Sequence, residues 1–144
     1  MPGPFVIDAS VFLNAFNPAE AGNEITRDLL SRIQRRGIPL IAPTLLLPEI
    51  AATIRRGQKN PNLARQFARA LGRLPHLTLV SIDRLLALQA LDAAVLFCLR
   101  GSDAVYAAVA QRFACPLLTL DREQHDRVSS ALKTYYPEEL LIEI

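Results

Sequence analysis

The sequence is poor in the residues that build zinc sites and disulfide frameworks. Its 144 residues include no tryptophan, two histidines and two cysteines. Cys98 and Cys115 do not have the spacing of a metal site, and neither an HExxH nor a CxxC motif occurs, so a zinc centre is not expected. We expect both thiols to lie reduced in the core of a cytoplasmic protein, although a bridge between them stays open.

Long hydrophobic runs are also missing. The most apolar stretch, residues 38–50 (IPLIAPTLLLPEI), is interrupted by three prolines and is shorter than the roughly 20 residues that a membrane-spanning helix needs. The N-terminal residues MPGPF lack the basic and then apolar pattern of a signal peptide. We therefore expect a soluble, cytoplasmic protein that does not use a membrane.

Neither sign of charge is in large excess. The chain has 16 Lys and Arg against 14 Asp and Glu, a formal net charge of +2. This balance argues against a protein that binds nucleic acid through overall positive charge alone. Arginine pairs precede Gly37 and Gly57, a pattern typical of helix C-termini with a left-handed glycine cap, while phosphate contact is the other use these arginines allow.

The hydrophobic pattern predicts an α/β fold. Hydrophobic residues make up 51% of the chain, which suits one domain over residues 1–144 with a substantial core. Because the apolar segments alternate with helical patterns, we expect a parallel sheet covered on both faces. The predicted strands are residues 5–8, 39–42, 77–81 and 115–120.

The predicted helices fall between and after these strands. A short helix ends near Asn17, Ser102 is the expected N-cap of an alanine-rich helix, and Tyr106 is expected in the core. Residues 134–141 (TYYPEELL) are expected to form a last strand and a turn. The remaining helices are expected at about 23–36, 44–56, 60–74, 83–99, 102–113 and, less regularly, 122–133.

Four acidic residues occupy corresponding places in this frame. Asp8 and Asp121 end predicted strands, whereas Glu49 and Asp103 lie near the starts of helices. Each alone is compatible with helix capping or with a favourable charge in a first turn. Together they are expected at the carboxyl edge of the parallel sheet, where open α/β folds bind their ligands.

Carboxylates gathered in this way repel one another and raise each other's pKa. A hard divalent cation with oxygen ligands relieves the repulsion, and Mg²⁺ or Mn²⁺ suits such a donor set best. A cation held there can activate a water molecule and stabilise charge on a phosphate. The pattern therefore favours metal-assisted phosphodiester hydrolysis.

Four segments around these acids resemble, in order and spacing, the motifs of the PIN domain family, and more specifically of VapC-type toxin ribonucleases. The resemblance extends from about Phe5 to Leu141. The segments are VIDASVFLNAF (6–16), LLPEIAATIRR (46–56), RGSDAVYAAVA (100–110) and LLTLDREQ (117–124). The resemblance implies a three-layer α/β/α domain with a central, mostly parallel sheet of four or five strands. It also implies an endoribonuclease dependent on Mg²⁺ or Mn²⁺, a homodimer, and a small antitoxin partner that blocks the site.

The same resemblance assigns roles to residues. Asp8 and Asp103 correspond to the principal metal ligands, and Glu49 and Asp121 to acids that bind a second metal or position water. Small polar residues two positions away support the first and fourth acids, and these are Ser10 and Thr119.

Several assignments stay open within this family interpretation. Pro48 before Glu49 leaves the direction of that side chain open, and Glu123 and Asp126 are either extra ligands or solvated. Arginines that follow or flank the motifs are candidates for RNA contact; they are Arg55, Arg56, Arg100 and Arg122.

Other functions fit parts of the pattern. A phosphatase resembling the haloacid dehalogenases also places Asp after its first strand, but it needs a second Asp where this chain has Ser10. A PIN scaffold that binds RNA or protein without cleaving, an RNA-processing PIN nuclease outside toxin–antitoxin systems, and a structural domain with capping acids remain alternatives. The RNA target, the antitoxin and the number of metal ions are not encoded in any motif.

Overall fold

A parallel sheet of five strands forms the centre of residues 3–144, the part of the chain that this computed structural model describes. The strands are β1 (Phe5–Ile7), β2 (Leu40–Pro43), β3 (Leu77–Val80), β4 (Leu117–Leu118) and β5 (Thr134–Tyr135). Their order across the sheet is β3-β2-β1-β4-β5, and every neighbouring pair is parallel. All five strands therefore end at the same edge, and the predicted parallel sheet is confirmed.

Helices cover both faces of this sheet. The helices of residues 3–144 are α1 (Ala9–Phe16), α2 (Asn23–Arg35), α3 (Leu46–Gly57), α4 (Pro61–Gly72), α5 (Arg84–Phe97), α6 (Gly101–Phe113), α7 (Arg122–Val128) and α8 (Pro137–Glu143). Helices α1 to α4 contact one another, whereas α6 packs on β1, β2 and β4 and carries α5. Right-handed crossovers place these two groups on opposite faces, because the chain moves from β1 towards β3 and then back past β1 to β4. The predicted three-layer α/β/α architecture is confirmed.

Strand β1 lies in the middle of the sheet and fixes the position of Asp8. Phe5 pairs with Leu40 on one side, and Val6 pairs with Leu117 on the other. The three residues of β1 are buried, as expected for a strand covered on both faces. The chain turns at β1 from one half of the sheet to the other, so Asp8 lies at the topological switch point.

Two helix boundaries differ from the prediction. Helix α6 begins at Gly101, and Arg100 rather than Ser102 is its N-cap, since the Arg100 carbonyl accepts the first helical bond from Ala104 N at 2.9 Å. Residues 137–143 form helix α8 instead of a turn. Pro137 suits the first helical position, and the Glu139 carboxylate accepts a bond from the N-cap amide at 2.8 Å.

Of the two predicted glycine caps only one is left-handed, and of the two cysteines predicted in the core only one is buried. Gly37 is left-handed after α2, with φ of +63°, whereas Gly57 is the last residue of α3, which ends at an extended Gln58. Cys115 is buried, but Cys98 is exposed because it ends α5 in a left-handed conformation with φ of 56°. Both cysteines are free thiols.

No single helix of residues 3–144 has the length and apolar composition to cross a bilayer. Helices α5 and α6 meet those criteria only when taken together, and the chain bends by 109° between them.

A buried amide joins α1 to α2. Asn23 is 6% exposed, and its Nδ2 donates to the carbonyl oxygens of Asn14 at 2.8 Å and Ala15 at 3.1 Å. These carbonyls belong to the last turn of α1, where helical partners are missing. The side chain of Asn23 therefore fixes the angle between the two helices.

We expect Asn23→Ala to lower the free energy of unfolding by about 2 kcal/mol, because two buried carbonyls lose their donor. Urea unfolding followed by circular dichroism measures the change. The matched control is Asn62→Ala on the exposed surface of α4, which should change stability by no more than about 0.5 kcal/mol. Equal losses in the two variants would show that the Asn23 amide does not hold the helices together.

Candidate active site

The four predicted acids lie at the carboxyl edge of the sheet. Asp8 directly follows β1 and caps α1, and Asp121 follows β4 and caps α7. Glu49 lies in the first turn of α3. Asp103 lies in the first turn of α6, which runs down to β4 and therefore begins at the edge where β4 ends. The structure thus brings together four residues that are up to 113 positions apart in the sequence.

Hydroxyl groups hold the carboxylate of Asp8 from one side. Its Oδ2 accepts hydrogen bonds from Ser10 N at 3.2 Å, Ser10 Oγ at 2.5 Å and Thr119 Oγ1 at 3.2 Å. Ser10 Oγ also accepts from Leu120 N at 3.0 Å, and Thr119 Oγ1 accepts from Asp121 N at 3.0 Å. These bonds tie the end of β1 to the segment after β4. Ser10 contacts the first acid as predicted, whereas Thr119, predicted to support Asp121, contacts the carboxylate of Asp8 and only the backbone N–H of Asp121.

Glu49 is directed towards α6 by a tyrosine. The buried hydroxyl of Tyr106 donates to Glu49 Oε1 at 2.7 Å. Tyr106 was expected in the core, which is correct, but its contact with the acidic site was not predicted. The available signal was its position three residues after Asp103, which places both side chains on the same side of α6. The proline before Glu49 does not turn the carboxylate away from the site.

Arg100 connects the remaining two acids. Its Nη2 lies 3.1 Å from Asp103 Oδ2 and 2.6 Å from Asp121 Oδ2, and its Nε donates to Asp103 Oδ2 at 3.2 Å. A single guanidinium nitrogen therefore bridges carboxylates from two different elements. Arg100 was predicted only as a candidate for RNA contact, and this bridge between two acids was not predicted.

Gln124 is a buried residue of the site that sequence analysis missed. It is 0% exposed, its Nε2 donates to the Asp103 carbonyl at 3.3 Å, and its Oε1 lies 2.8 Å from Thr119 Oγ1. Its backbone N–H donates to Asp121 Oδ1 at 3.0 Å. The available signal was the DREQ segment, in which Asp at the N-cap and Gln three residues later form a capping pattern. Gln124 thereby joins the elements that carry Asp103 and Asp121, and it contacts Thr119, which bonds to Asp8.

The site disfavours negative charge on its buried members. Burial raises the pKa of Asp8, Glu49 and Asp103, and mutual repulsion adds to the effect, since the charge of Asp8 raises the pKa of both other acids. Hydrogen bonds partly oppose this: the hydroxyl of Tyr106 lowers the pKa of Glu49, and Arg100 lowers that of Asp103. Each added positive charge should therefore be favourable here.

The donor atoms fit a hard divalent cation in their chemistry, because they are carboxylate oxygens. The side chains of residues 3–144 do not form a ready cage, since no group of three or more His, Cys, Asp or Glu among them is placed to hold a metal ion. The Nη2 of Arg100 is instead the positive group between Asp103 and Asp121. The residues thus fit a cation that replaces this guanidinium contact.

The other candidate arginines lie on the surface, Arg122 directly after Asp121 and Arg55 and Arg56 in the last turn of α3, at the opposite end of that helix from Glu49. Arg55, Arg56 and Arg122 are exposed. Arg55 donates to the carbonyl of Gln58, and Arg56 to the hydroxyl of Thr53, contacts at the end of their own helix. Their surfaces remain accessible to a phosphate.

The two additional acids pair within α7. Glu123 lies 2.7 Å from Arg127 Nη2, and Asp126 lies 3.1 Å from His125 Nδ1. Both carboxylates thus have partners within α7.

Comparisons with known proteins agree on one family. A family model described as the PIN domain matches residues 5–130. No curated protein sequence matches the chain significantly. Among solved structures, VapC20 of Mycobacterium tuberculosis, described as a sarcin–ricin loop cleaving toxin, is 16% identical with a TM-score of 0.71, over 90% of this chain and 96% of that one.

Two further structures share the fold. PAE2754 from Pyrobaculum aerophilum is 22% identical with a TM-score of 0.66, over 99% of this chain and 97% of that one. A chain of a toxin–antitoxin complex from Klebsiella pneumoniae is 15% identical with a TM-score of 0.67, over 93% of this chain and 98% of that one. At such identities the likeness shows the fold alone.

We expect Asp8→Asn to raise the melting temperature in EDTA at pH 7 by about 3 °C, because the neutral amide removes a buried, repelled charge. Because the pKa of Asp8 is raised in the folded protein, this residue does not destabilise the fold below the ordinary carboxyl pKa of 3.8. The destabilisation grows as the pH rises from there through the raised pKa of the folded protein. The difference in melting temperature between Asp8→Asn and the wild type should therefore shrink towards pH 4. Thermal unfolding across this pH range measures it.

The control for this experiment is Asp83→Asn at the exposed N-cap of α5. The backbone N–H of Leu86 lowers the pKa of Asp83, so its charge stabilises the fold above pH 3.8 and that contribution is lost on acidification. This variant should not gain stability at pH 7. A gain for Asp83→Asn that matches that for Asp8→Asn would mean that the effect is not local to the acidic site.

Proposed function

The chain belongs to the PIN domain family, and on that premise we propose that it is an endoribonuclease dependent on Mg²⁺ or Mn²⁺ and the toxin of a type II toxin–antitoxin pair. The observation that carries the proposal is the convergence of Asp8, Glu49, Asp103 and Asp121 at the switch point of the sheet. The likeness in fold to a toxin described as cleaving the sarcin–ricin loop supports RNA as the substrate.

Asp8 and Asp103 are the proposed principal metal ligands. All hydrogen bonds to the Asp8 carboxylate from the described residues reach Oδ2, which leaves Oδ1 for a cation. Ser10 and Thr119 hold that carboxylate in one orientation, so it need not reorganise when substrate arrives. A bound divalent cation supplies Lewis acidity and lowers the pKa of a coordinated water.

Glu49 and Asp121 complete the site. Glu49 is fixed through Oε1 by Tyr106, and its raised pKa suits a group that accepts a proton from an attacking water. Asp121 is held at the end of β4 by its backbone N–H bond to Thr119. Whether these two acids orient water or hold a second ion, Glu49 acts from α3 against Tyr106 of α6, and Asp121 acts from the end of β4.

RNA and a small antitoxin are the partners of the proposed toxin. The exposed arginines Arg55, Arg56 and Arg122 are suited to contact the RNA backbone, and Arg100 can join them when it leaves its carboxylate partners. The relatives in fold include a toxin–antitoxin complex, which supports a small antitoxin that covers the site. A cytoplasmic location is part of this proposal, because RNA and the antitoxin would both be met there.

A non-catalytic PIN scaffold is the alternative that one observation favours. Among residues 3–144 no three metal-binding side chains form a ready site, and a guanidinium pairs with two of the four acids. A scaffold of this kind would bind RNA or protein without cleaving. An RNA-processing nuclease outside toxin–antitoxin systems would share the chemistry but lack the antitoxin.

We expect RNA cleavage with Mg²⁺ or Mn²⁺, little cleavage with Ca²⁺, whose coordination is looser, and none in EDTA. Asp8→Asn and Asp103→Asn should each reduce the rate by about a hundredfold or more, because each removes a proposed ligand. Gel assays on a labelled RNA measure the rates, and the exposed Asp28→Asn, purified identically, is the control. Undiminished cleavage in EDTA, or by both site variants, would reject the metal mechanism.

An exposed apolar surface on α5 supports the proposed homodimer. Five side chains of this helix are 50% to 78% exposed; the first four recur at spacings of three or four residues, which places them along one side, and the fifth directly follows the fourth. They are Leu85, Leu88, Leu91, Val95 and Leu96. We name them the α5 surface. A second copy that buries this surface against its own would remove it from water.

We expect the wild-type chain to sediment as a dimer at about 10 µM, a concentration at which an apolar interface of ordinary size is occupied. Leu88→Lys should shift it towards monomer, because the substitution places a charge in the middle of the α5 surface. The matched control is Ile142→Lys, at a residue of α8 that is 87% exposed. Analytical ultracentrifugation separates the outcomes, and a monomeric wild type would contradict the homodimer.

A further inference from the structure

Arg100 occupies a position between acids that belong to different elements. Its Nη2 contacts Asp103 of α6 at 3.1 Å and Asp121, the N-cap of α7, at 2.6 Å. The two carboxylates are 18 residues apart in the chain, so this shared contact is a product of the fold. Each carboxylate contacts the Nη2 atom of Arg100 through its own Oδ2 atom. The geometry is that of two anionic ligands around one positive group.

The arginine and its partners differ in how easily they can move. The side chain of Arg100 is 64% exposed, whereas those of Asp103 and Asp121 are 11% and 24% exposed. Exposed ion pairs are weak, and a long arginine side chain can turn into solvent without disturbing the backbone. Asp121 is held by its N-cap bond to Gln124, and Asp103 lies within α6. The positive group can therefore leave while its acidic partners stay.

We propose that Arg100 is an internal counterion that holds Asp103 and Asp121 together in the metal-free protein and is displaced when a divalent cation binds. The proposal rests on the proposed function, since the cation is the one assigned there to the acidic site. Because Asp103 is a proposed ligand, a cation bound through its Oδ2 would compete with the guanidinium nitrogen for that oxygen. Binding is thus an exchange of one positive group for another of higher charge.

This exchange has two consequences for the protein. Without metal, the acids are neutralised in part, so the site keeps its arrangement despite the repulsion. With metal, the guanidinium is released next to the loaded site, where its fork of donors suits a phosphate. Arg100 would then serve in turn as counterion and as RNA contact, which accommodates the role predicted from its sequence position.

Metal binding without RNA tests the exchange. Isothermal titration of the purified chain with Mn²⁺ should give a dissociation constant about fivefold lower for Arg100→Ala than for wild type, because the competing guanidinium is gone. Arg100→Lys keeps the charge but loses the fork, and its affinity should lie between the two. The matched control is Arg122→Ala, which removes a neighbouring positive charge that forms no ion pair among the described residues and should change affinity less than about twofold.

A second readout follows the arginine itself. The Nε–H of Arg100 should be protected from exchange with water in the metal-free protein, because it donates to Asp103, and should lose that protection on addition of Mg²⁺. Nitrogen-15 spectra, with the signal assigned by Arg100→Lys, report this change without any cleavage reaction. Retained protection at saturating Mg²⁺ would overturn the exchange.

The outcomes separate this inference from the proposed function. If wild type binds Mn²⁺ and Asp103→Asn does not, the metal site is supported. Equal or weaker binding by both Arg100→Ala and Arg100→Lys then refutes the counterion role alone. If neither wild type nor Arg100→Ala binds Mn²⁺, the metal site and the counterion role both fail.

Discussion

Repulsion among carboxylates at one edge of the sheet is the constraint on which the rest of this site depends. Parallel strands end on the same side, so acids that follow them are brought together whether or not their charges tolerate it. The burial of Asp8, Glu49 and Asp103 increases the penalty, and the pKa of each rises accordingly. The surrounding hydrogen bonds are best understood as partial compensation for that penalty.

The compensation is of two kinds. Neutral donors, the hydroxyl groups of Ser10, Thr119 and Tyr106, reduce the cost of individual carboxylates and fix their directions. The positive charge of Arg100 acts on two acids at once. Hydroxyl groups are compatible with a bound cation, whereas the guanidinium competes with one. Of these contacts, only that of the guanidinium would be lost in the proposed exchange.

The acidic edge and the α5 surface pose separate physical problems. The acidic edge concentrates negative charge, and the α5 surface leaves apolar side chains in water. The proposed partners, a metal ion with RNA for the former and a second copy for the latter, would each relieve one of these two problems.

The amino-acid sequence by itself determined the alternation of strands and helices, the parallel sheet and the four acids, because apolar periodicity and residue order record them directly. It misplaced local features that depend on backbone competition: Ser102 does not cap α6, and residues 137–143 continue as a helix. Only the tertiary structure decided that Gln124 is buried among the acids and that Arg100 bridges two of them. Contacts of this kind join residues distant in the chain, and their partners are set by how α6 and α7 pack against the sheet rather than by any local pattern.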